Sequence, residues 1–302
     1  MVMRKQVNGV LLLDKPPQLT SNGALQIVKR LFNAKKAGHT GSLDPIATGM
    51  LPICFGEATK FSQFLLESDK QYQVVAKLGE RTTTGDREGK ITAKQVVTNV
   101  TTSRMTDVMK TFSGDLEQTP PMFSAIKYQG KPLYQLARQG IEVDRQPRKI
   151  TIYAIELVNF DQDQMIFCFT VHCSKGTYIR TLVEDIGREL NCGAHVTELR
   201  RVAVTPYNAS NMYPLSILEN IAKSAGQAGL EACLLPIETA VQIFPAVKLS
   251  QTAAFYMRTG QAVRASVPID NVLVRLLSED AKFLGIGEVT PDGRIKPKRL
   301  VI

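Results

Sequence analysis

The sequence predicts an α+β fold, with a large domain of interleaved strands and helices followed by a small β domain at the C-terminus. Three observations lead there. Residues 10–13 (VLLL) form a continuous apolar run closed by Pro16 and Pro17, the pattern of a buried strand, because proline cannot extend a ladder. Residues 71–78 alternate with a period of two, whereas residues 179–190 repeat with a helical period, so both element types occur within the first two thirds of the chain. Past residue 205 the character changes, and from about Phe244 glycines alternate with short β-rich runs that end in a Pro291-Asp-Gly293 hairpin signal. With 302 residues and 44% hydrophobic content the chain can bury a substantial core.

Each element has a local reason. The opening strand delivers Asp14 and Lys15 to a loop, after which Thr20 or Ser21 caps a helix with Leu25, Val28 and Phe32 on one face and Lys29, Arg30, Lys35 and Lys36 on or beyond the other. Residues 37–52 hold three glycines, two prolines and several hydroxyl residues, which predicts an ordered, tightly turning loop. Residues 57–67 have helical spacing, and in the next strand Tyr72, Val74, Ala76 and Leu78 share a face. A second proline-marked loop, residues 119–127, leads to a short helix with Pro132 in its first turn and Gly140 after its last, amid Lys127, Lys131, Arg138, Arg145, Arg148 and Lys149. Residues 165–173 read as a strand. Thr177 is a candidate cap for the helix carrying Ile179, Leu182, Val183, Ile186 and Leu190, with Tyr178 and Arg180 in its first turn. A Ser216-x-x-Glu219 capping box opens a further helix, and residues 223–229 read as a linking region.

Charge and cysteine usage narrow the class. Lys and Arg number 37 against 28 Asp and Glu, a formal charge of +9, which favours anionic partners and nucleic acid first among them. Five cysteines without a C-x-x-C pair indicate neither a disulfide framework nor a zinc ribbon, and read as reduced cytosolic thiols. The apolar run near the N-terminus is too short for a signal-peptide core, and no run approaches the ~20 apolar residues of a membrane span.

The chemistry concentrates in residues 38–52, where His39, Thr40, Ser42, Asp44 and Thr48 stand on a backbone rich in special conformations. Spacing alone leaves two readings of Asp44-Pro45, a turn initiator or a catalytic carboxylate. None of the three histidines stands in a metal-binding relation to another, so no metal is expected. A phosphate-binding G-x-x-x-x-G-K-[ST] loop, a dinucleotide G-x-G-x-x-G and a G-x-S-x-G elbow are all missing, which removes nucleotide hydrolysis, hydride transfer and acyl transfer in their usual forms. For a two-carboxylate glycosidase the nearest second acid is Glu57, beyond Pro52.

Residues 38–52 (GHTGSLDPIATGMLP) resemble the signature segment of the TruB-type pseudouridine synthases. The resemblance continues through residues 9–16 (GVLLLDKP), 57–61 (EATKF), 69–72 (DKQY), 119–127 (TPPMFSAIK), 173–180 (CSKGTYIR) and 193–201 (GAHVTELRR), most of the first 205 residues. It implies a catalytic domain over residues 1–243, built on a mixed, largely antiparallel sheet. Residues 244–302 resemble a PUA-like RNA-binding module in their position, in Gly260, Gly285 and Gly287, and in their basic end.

The resemblance also implies a reaction: isomerisation of uridine 55 in the T loop of tRNA, with Asp44 essential for breaking the C1′–N1 bond before the uracil turns and rejoins through C5. No cofactor is implied. Burial raises a lone carboxylate's pKa, so a paired cation is expected, and Arg180 resembles the arginine that supplies it; from position alone Arg180 also reads as first-turn surface charge. Tyr72 resembles the tyrosine that stacks on the target base, although from its place on an apolar strand face alone it reads as core. Tyr178 and Leu199 resemble residues of the uridine pocket, and His39 one that holds the rearranged T loop. A stacked uridine presents neither reacting atom, so extrusion is required at a cost of a few kcal/mol. Lys15, Lys60, the basic region of residues 127–149, and Arg294, Lys296, Lys298 and Arg299 are the candidate phosphate contacts. The partner implied is the T arm of tRNA, with no membrane, no obligate protein partner, a monomeric state and a cytoplasmic setting. The rivals are a non-catalytic tRNA-binding or folding factor on the same scaffold and a glycosidase acting on free nucleosides.

Overall fold

The four apolar residues Val10 to Leu13 are buried in the strand Gly9–Lys15, which has a hydrogen-bonded neighbour along each edge. It pairs antiparallel with Thr48–Phe55, with Leu13 opposite Leu51 and Asp14 opposite Met50, and parallel with the short strand Tyr213–Pro214. The computed structural model describes residues 3–265 and 272–301. They divide into two compact units, the first made of Met1–Pro45, Gly49–Ser68 and Thr205–Ile302, the second of Ile46–Thr48 and Asp69–Val204.

In the first unit, Thr20 caps the helix Ser21–Leu31 by accepting the Gly23 amide at 3.0 Å. Its Ala24, Leu25 and Val28 face inward, and Phe32 just beyond its end stacks on Phe55 with ring centroids 4.8 Å apart. Residues 37–52 are less loop-like than the turn residues predict: Ala37–His39 pairs antiparallel with the Ile53–Phe55 end of Thr48–Phe55, leaving residues 40–47 as the loop. The buried run from Met50 to Phe55 outweighs the turn preference of Gly49 and Pro52. The helical spacing of residues 57–67 resolves into a 3₁₀ segment, Gly56–Phe61, and a short helix, Ser62–Leu66.

Ser216 is not a cap, because the helix Leu215–Ser224 begins one residue before it and its N-cap residue is Pro214. Nor is the stretch after Lys223 a linker: a second helix, Gly226–Ala232, follows directly, and the lack of a side chain at Gly229 lets Ala225 and Ile221 come close. The C-terminal β domain orders its strands as Ala246–Lys248, Leu273–Leu277, Phe283–Val289, Arg294–Leu300 and Val263–Arg264. Its core is Val247, Leu249, Val274, Leu276, Leu284 and Ile295, closed by Ala254 and Met257 of a helix, Gln251–Arg258, that the β-rich reading missed. The expected hairpin is present, with Gly293 at φ +75° where a side chain would be strained; Ile302 lies outside the described residues.

The second unit carries an antiparallel sheet in the order Ala194–Val204, Lys70–Leu78, Ile166–Cys173, Arg148–Asp161, Gly114–Gln118. The alternation read from residue 71 onward holds: Tyr72, Val74, Ala76 and Leu78 are buried, while Gln71 and Gln73 are exposed. The amphipathic helix Ile179–Glu189 is present, but Tyr178 rather than Thr177 is its N-cap residue, and Thr177 turns its hydroxyl back to the Ser174 carbonyl. Where this helix meets Ala194–Val204, a Cβ on Gly187 would stand 2.3 Å from the Ala194 nitrogen. Parallel pairing at Gly9–Lys15 beside antiparallel ladders elsewhere makes this the mixed, largely antiparallel α+β architecture.

Candidate active site

Asp44 stands in the loop of residues 40–47, half-buried, and both of its chain neighbours are pinned. On one side, the buried Ser21 hydroxyl accepts the Leu43 amide at 2.7 Å and donates to the Leu43 carbonyl at 3.0 Å. On the other, the Pro45 carbonyl accepts the Gln18 amide at 2.8 Å and faces the Lys15 ammonium at 3.5 Å. Thr40 closes the loop by donating its amide to the Pro52 carbonyl at 3.0 Å. A carboxylate held between fixed residues pays little reorganisation when it acts.

This geometry corrects the expected role of Lys15. The side chain is 0% exposed, and its ammonium donates at 2.8 Å to the carbonyls of Pro16 and Leu19. A cation enclosed this way organises the turn after the first strand instead of meeting a phosphate. Lys60 stands 2.7 Å from the Glu57 carboxylate and 3.0 Å from the Leu300 carbonyl. His39 closes the Ala37–His39 strand opposite Ile53, partly buried.

In the second unit, Tyr72 and Leu199 share one face of the sheet, since Tyr72 is registered with Arg201 and Val74 with Leu199. Both side chains are buried, and so are Arg201 and Lys70 on the same face. Burial first, and the neighbouring Arg201 charge second, lower the Lys70 ammonium to about 8.

Arg180 is no surface charge. Only 5% exposed, it donates at 2.7 Å to the carbonyls of both Thr84 and Phe123, and its Nε lies 3.8 Å from the buried Asp86 carboxylate. Asp86 is itself held by the Thr84 hydroxyl at 2.6 Å and the Glu88 amide at 3.1 Å. One turn along the helix, burial raises the Glu184 carboxyl, while Arg81 and then Arg180 pull it partly back. Tyr178 lies two residues before Arg180 at the helix start, so these two predicted residues share one turn.

Comparison with known proteins bears on what this arrangement is for. The family described as TruB family pseudouridylate synthase (N terminal domain) matches residues 29–179, and two TruB C-terminal families match residues 180–242 and 245–301. The chain is 52% identical over 300 residues to tRNA pseudouridine synthase B of Coxiella burnetii, covering 99% of this chain and 96% of that one. It is 51% identical over 305 residues to the protein of the same name from Vibrio vulnificus, with the same coverage. The chain belongs to the TruB family of pseudouridylate synthases. Among solved structures, this TruB-family chain is similar to a chain of a Cbf5-Nop10-Gar1 complex, with 27% identity and a TM-score of 0.75, covering 99% of this chain and 85% of that one.

Several residues that hold or neighbour the predicted site residues are given no such role by the sequence. Ser21 reads only as an alternative helix cap, Arg201 is carried only within the segment 193–201, and Asp86 is not singled out. The signal available for Asp86 was its Thr84-Gly-Asp86 setting, a turn with local hydrogen-bonding groups. Among the described residues no group of three or more His, Cys, Asp or Glu is placed to hold a metal, and no helix is long and apolar enough to cross a membrane.

Proposed function

We propose that this chain isomerises uridine to pseudouridine in tRNA, at position 55 of the T loop, with Asp44 as the essential carboxylate. The observation that carries the reading is the pinning of Leu43 and Pro45 on either side of Asp44, within the segment that resembles the family signature. Arg180 has the role of the arginine that the family resemblance pairs with the essential carboxylate, and its own fixed carbonyl contacts support a role in which direction matters more than reach. Tyr72 stacks on the extruded uracil, Tyr178 and Leu199 line its pocket, and His39 holds the T loop once the base has left the stack. The C1′–N1 bond breaks, the base turns, C1′ bonds to C5, and the proton lost from C5 is balanced by the one gained at N1.

Such an isomerisation conserves atoms and electrons, so it calls for no redox partner. Residues 1–243 act as the catalytic domain and residues 244–302 as a PUA-like RNA-binding domain. The enzyme works as a monomer and in the cytoplasm, the latter in keeping with its five free cysteines. The test is to map pseudouridine after incubating the purified protein with unmodified tRNA transcript and no additive, beside Asp44→Asn. Product at the T-loop uridine with the wild type only, and retained tRNA binding by the variant, is the expected result. Turnover by Asp44→Asn would sink the assignment, and tRNA binding by the wild type without product on any tRNA would favour a folding factor.

A further inference from the structure

Gln118 ends the strand Gly114–Gln118 and is only 5% exposed, yet it belongs to no motif read from the sequence. Its side-chain amide grips the backbone of a residue sixty positions away: Oε1 accepts the Tyr178 amide at 2.7 Å, and Nε2 donates to the Tyr178 carbonyl at 3.0 Å. Tyr178 is the N-cap residue of Ile179–Glu189, and no side-chain cap bond serves that helix from its own sequence. In a capping box a glutamine three residues into the helix reaches back to the N-cap amide. Here a glutamine from a sheet strand does that work, and adds a bond to the carbonyl that also receives the Leu182 amide at 3.0 Å.

The same short stretch of chain grips the helix start a second time. Five residues after Gln118, the Phe123 carbonyl receives Arg180 Nη2 at 2.7 Å. Between them, the Pro120 carbonyl is held by Arg145 at 3.2 Å. Gln118 therefore fixes the backbone at Tyr178, and the loop that follows Gln118 fixes the side chain at Arg180.

We propose that Gln118 is a positioning residue for the reaction, setting where Tyr178 and Arg180 stand at the start of their helix. The inference rests on the roles given to those two residues above. Gln118→Met keeps the volume and removes both bonds. Misplacing reacting groups by about an ångström costs on the order of a hundredfold, so kcat is expected to fall between about ten- and a hundredfold. KM for tRNA should stay within about threefold, because the RNA contacts elsewhere are untouched. In parallel, amide hydrogen exchange over residues 177–182 should speed up while the other sheet strands stay protected.

A kcat equal to wild type, or a loss carried by KM alone, overturns the proposal, as does unchanged exchange at residues 177–182. If Gln118→Met does not fold, Gln118→Glu keeps the acceptor for the Tyr178 amide, sets a carboxylate oxygen against the Tyr178 carbonyl in place of the donor, and is judged by the same outcomes. Wild type and Asp44→Asn run alongside: absence of product with wild type refutes the reaction assignment, whereas the exchange measurement still decides whether Gln118 holds the helix start.

Discussion

Replacing Lys15 by methionine separates a cation that shapes a loop from one that binds RNA. Methionine fills similar space, so no large cavity opens. Two carbonyls, those of Pro16 and Leu19, lose donors that stand at 2.8 Å. Leaving a buried acceptor dry costs about 1–3 kcal/mol, and relief from burying an ammonium offsets part of it. A net loss of about 2–4 kcal/mol follows, a large share of the ~5–15 kcal/mol by which domains are stable. Thermal unfolding followed by circular dichroism should then move down by roughly 5–15 °C. Below that transition, kcat should fall by about tenfold or more, because the Pro45 side of the Asp44 loop loses a neighbour. The decisive readout is the salt dependence of tRNA binding. Losing one phosphate contact flattens the slope of log K against log salt by about 0.7–0.9. An unchanged slope is expected, whereas a flattened slope with an unmoved melting temperature would refute the argument from burial and return Lys15 to the RNA interface.

Three other perturbations have defined outcomes. Arg180→Lys keeps the charge but cannot span the Thr84 and Phe123 carbonyls together, so single-turnover pseudouridine formation should slow by about a hundredfold; a rate within twofold of wild type would show that charge alone suffices. Gly187→Ala should lower the denaturant midpoint although alanine favours helix by ~1 kcal/mol, since its Cβ would lie 2.3 Å from the Ala194 nitrogen and 2.5 Å from the Gly193 carbonyl carbon; a stabilised variant would contradict that packing. Lys70 is lowered from 10.5 to about 8, so between those pH values the unfolded chain binds more protons and this group makes stability rise with pH. The stability difference between wild type and Lys70→Met should therefore grow in favour of wild type from pH 8 to pH 10, and parallel curves would show that Lys70 titrates normally.

What the sequence made legible was whatever local periodicity encodes. The first strand, the Thr20 cap, the alternation at Tyr72 and the stripe on Ile179–Glu189 are each written within a dozen residues. Turn residues misled where tertiary pairing outweighed them, as at Gly49 and Pro52, and hydroxyl residues suggested caps that Thr177 and Ser216 do not provide. Asp44 was found through a motif, but the means of holding it were not: Ser21 and Lys15 act through the backbone of residues 22 and 30 positions away. Arg180 shows the same limit. Its burial depends on the carbonyls of Thr84 and Phe123, and a carbonyl is present at every position of every sequence.

The discontinuity of the first unit shapes how the chain is made. Strand Gly9–Lys15 finds its antiparallel partner soon after synthesis begins, but its parallel partner is Tyr213–Pro214. Until the ribosome has passed that point, and then Leu235, which bridges Val10, that edge of the strand lacks these partners, while the sheet strands of Asp69–Val204 already have one another. Long-range pairing of this kind is slow and leaves nascent edges exposed to other chains. A chain truncated near residue 204 is thus not a smaller synthase but an unfinished sheet, and premature stop codons in this gene should yield aggregates, not partial activity.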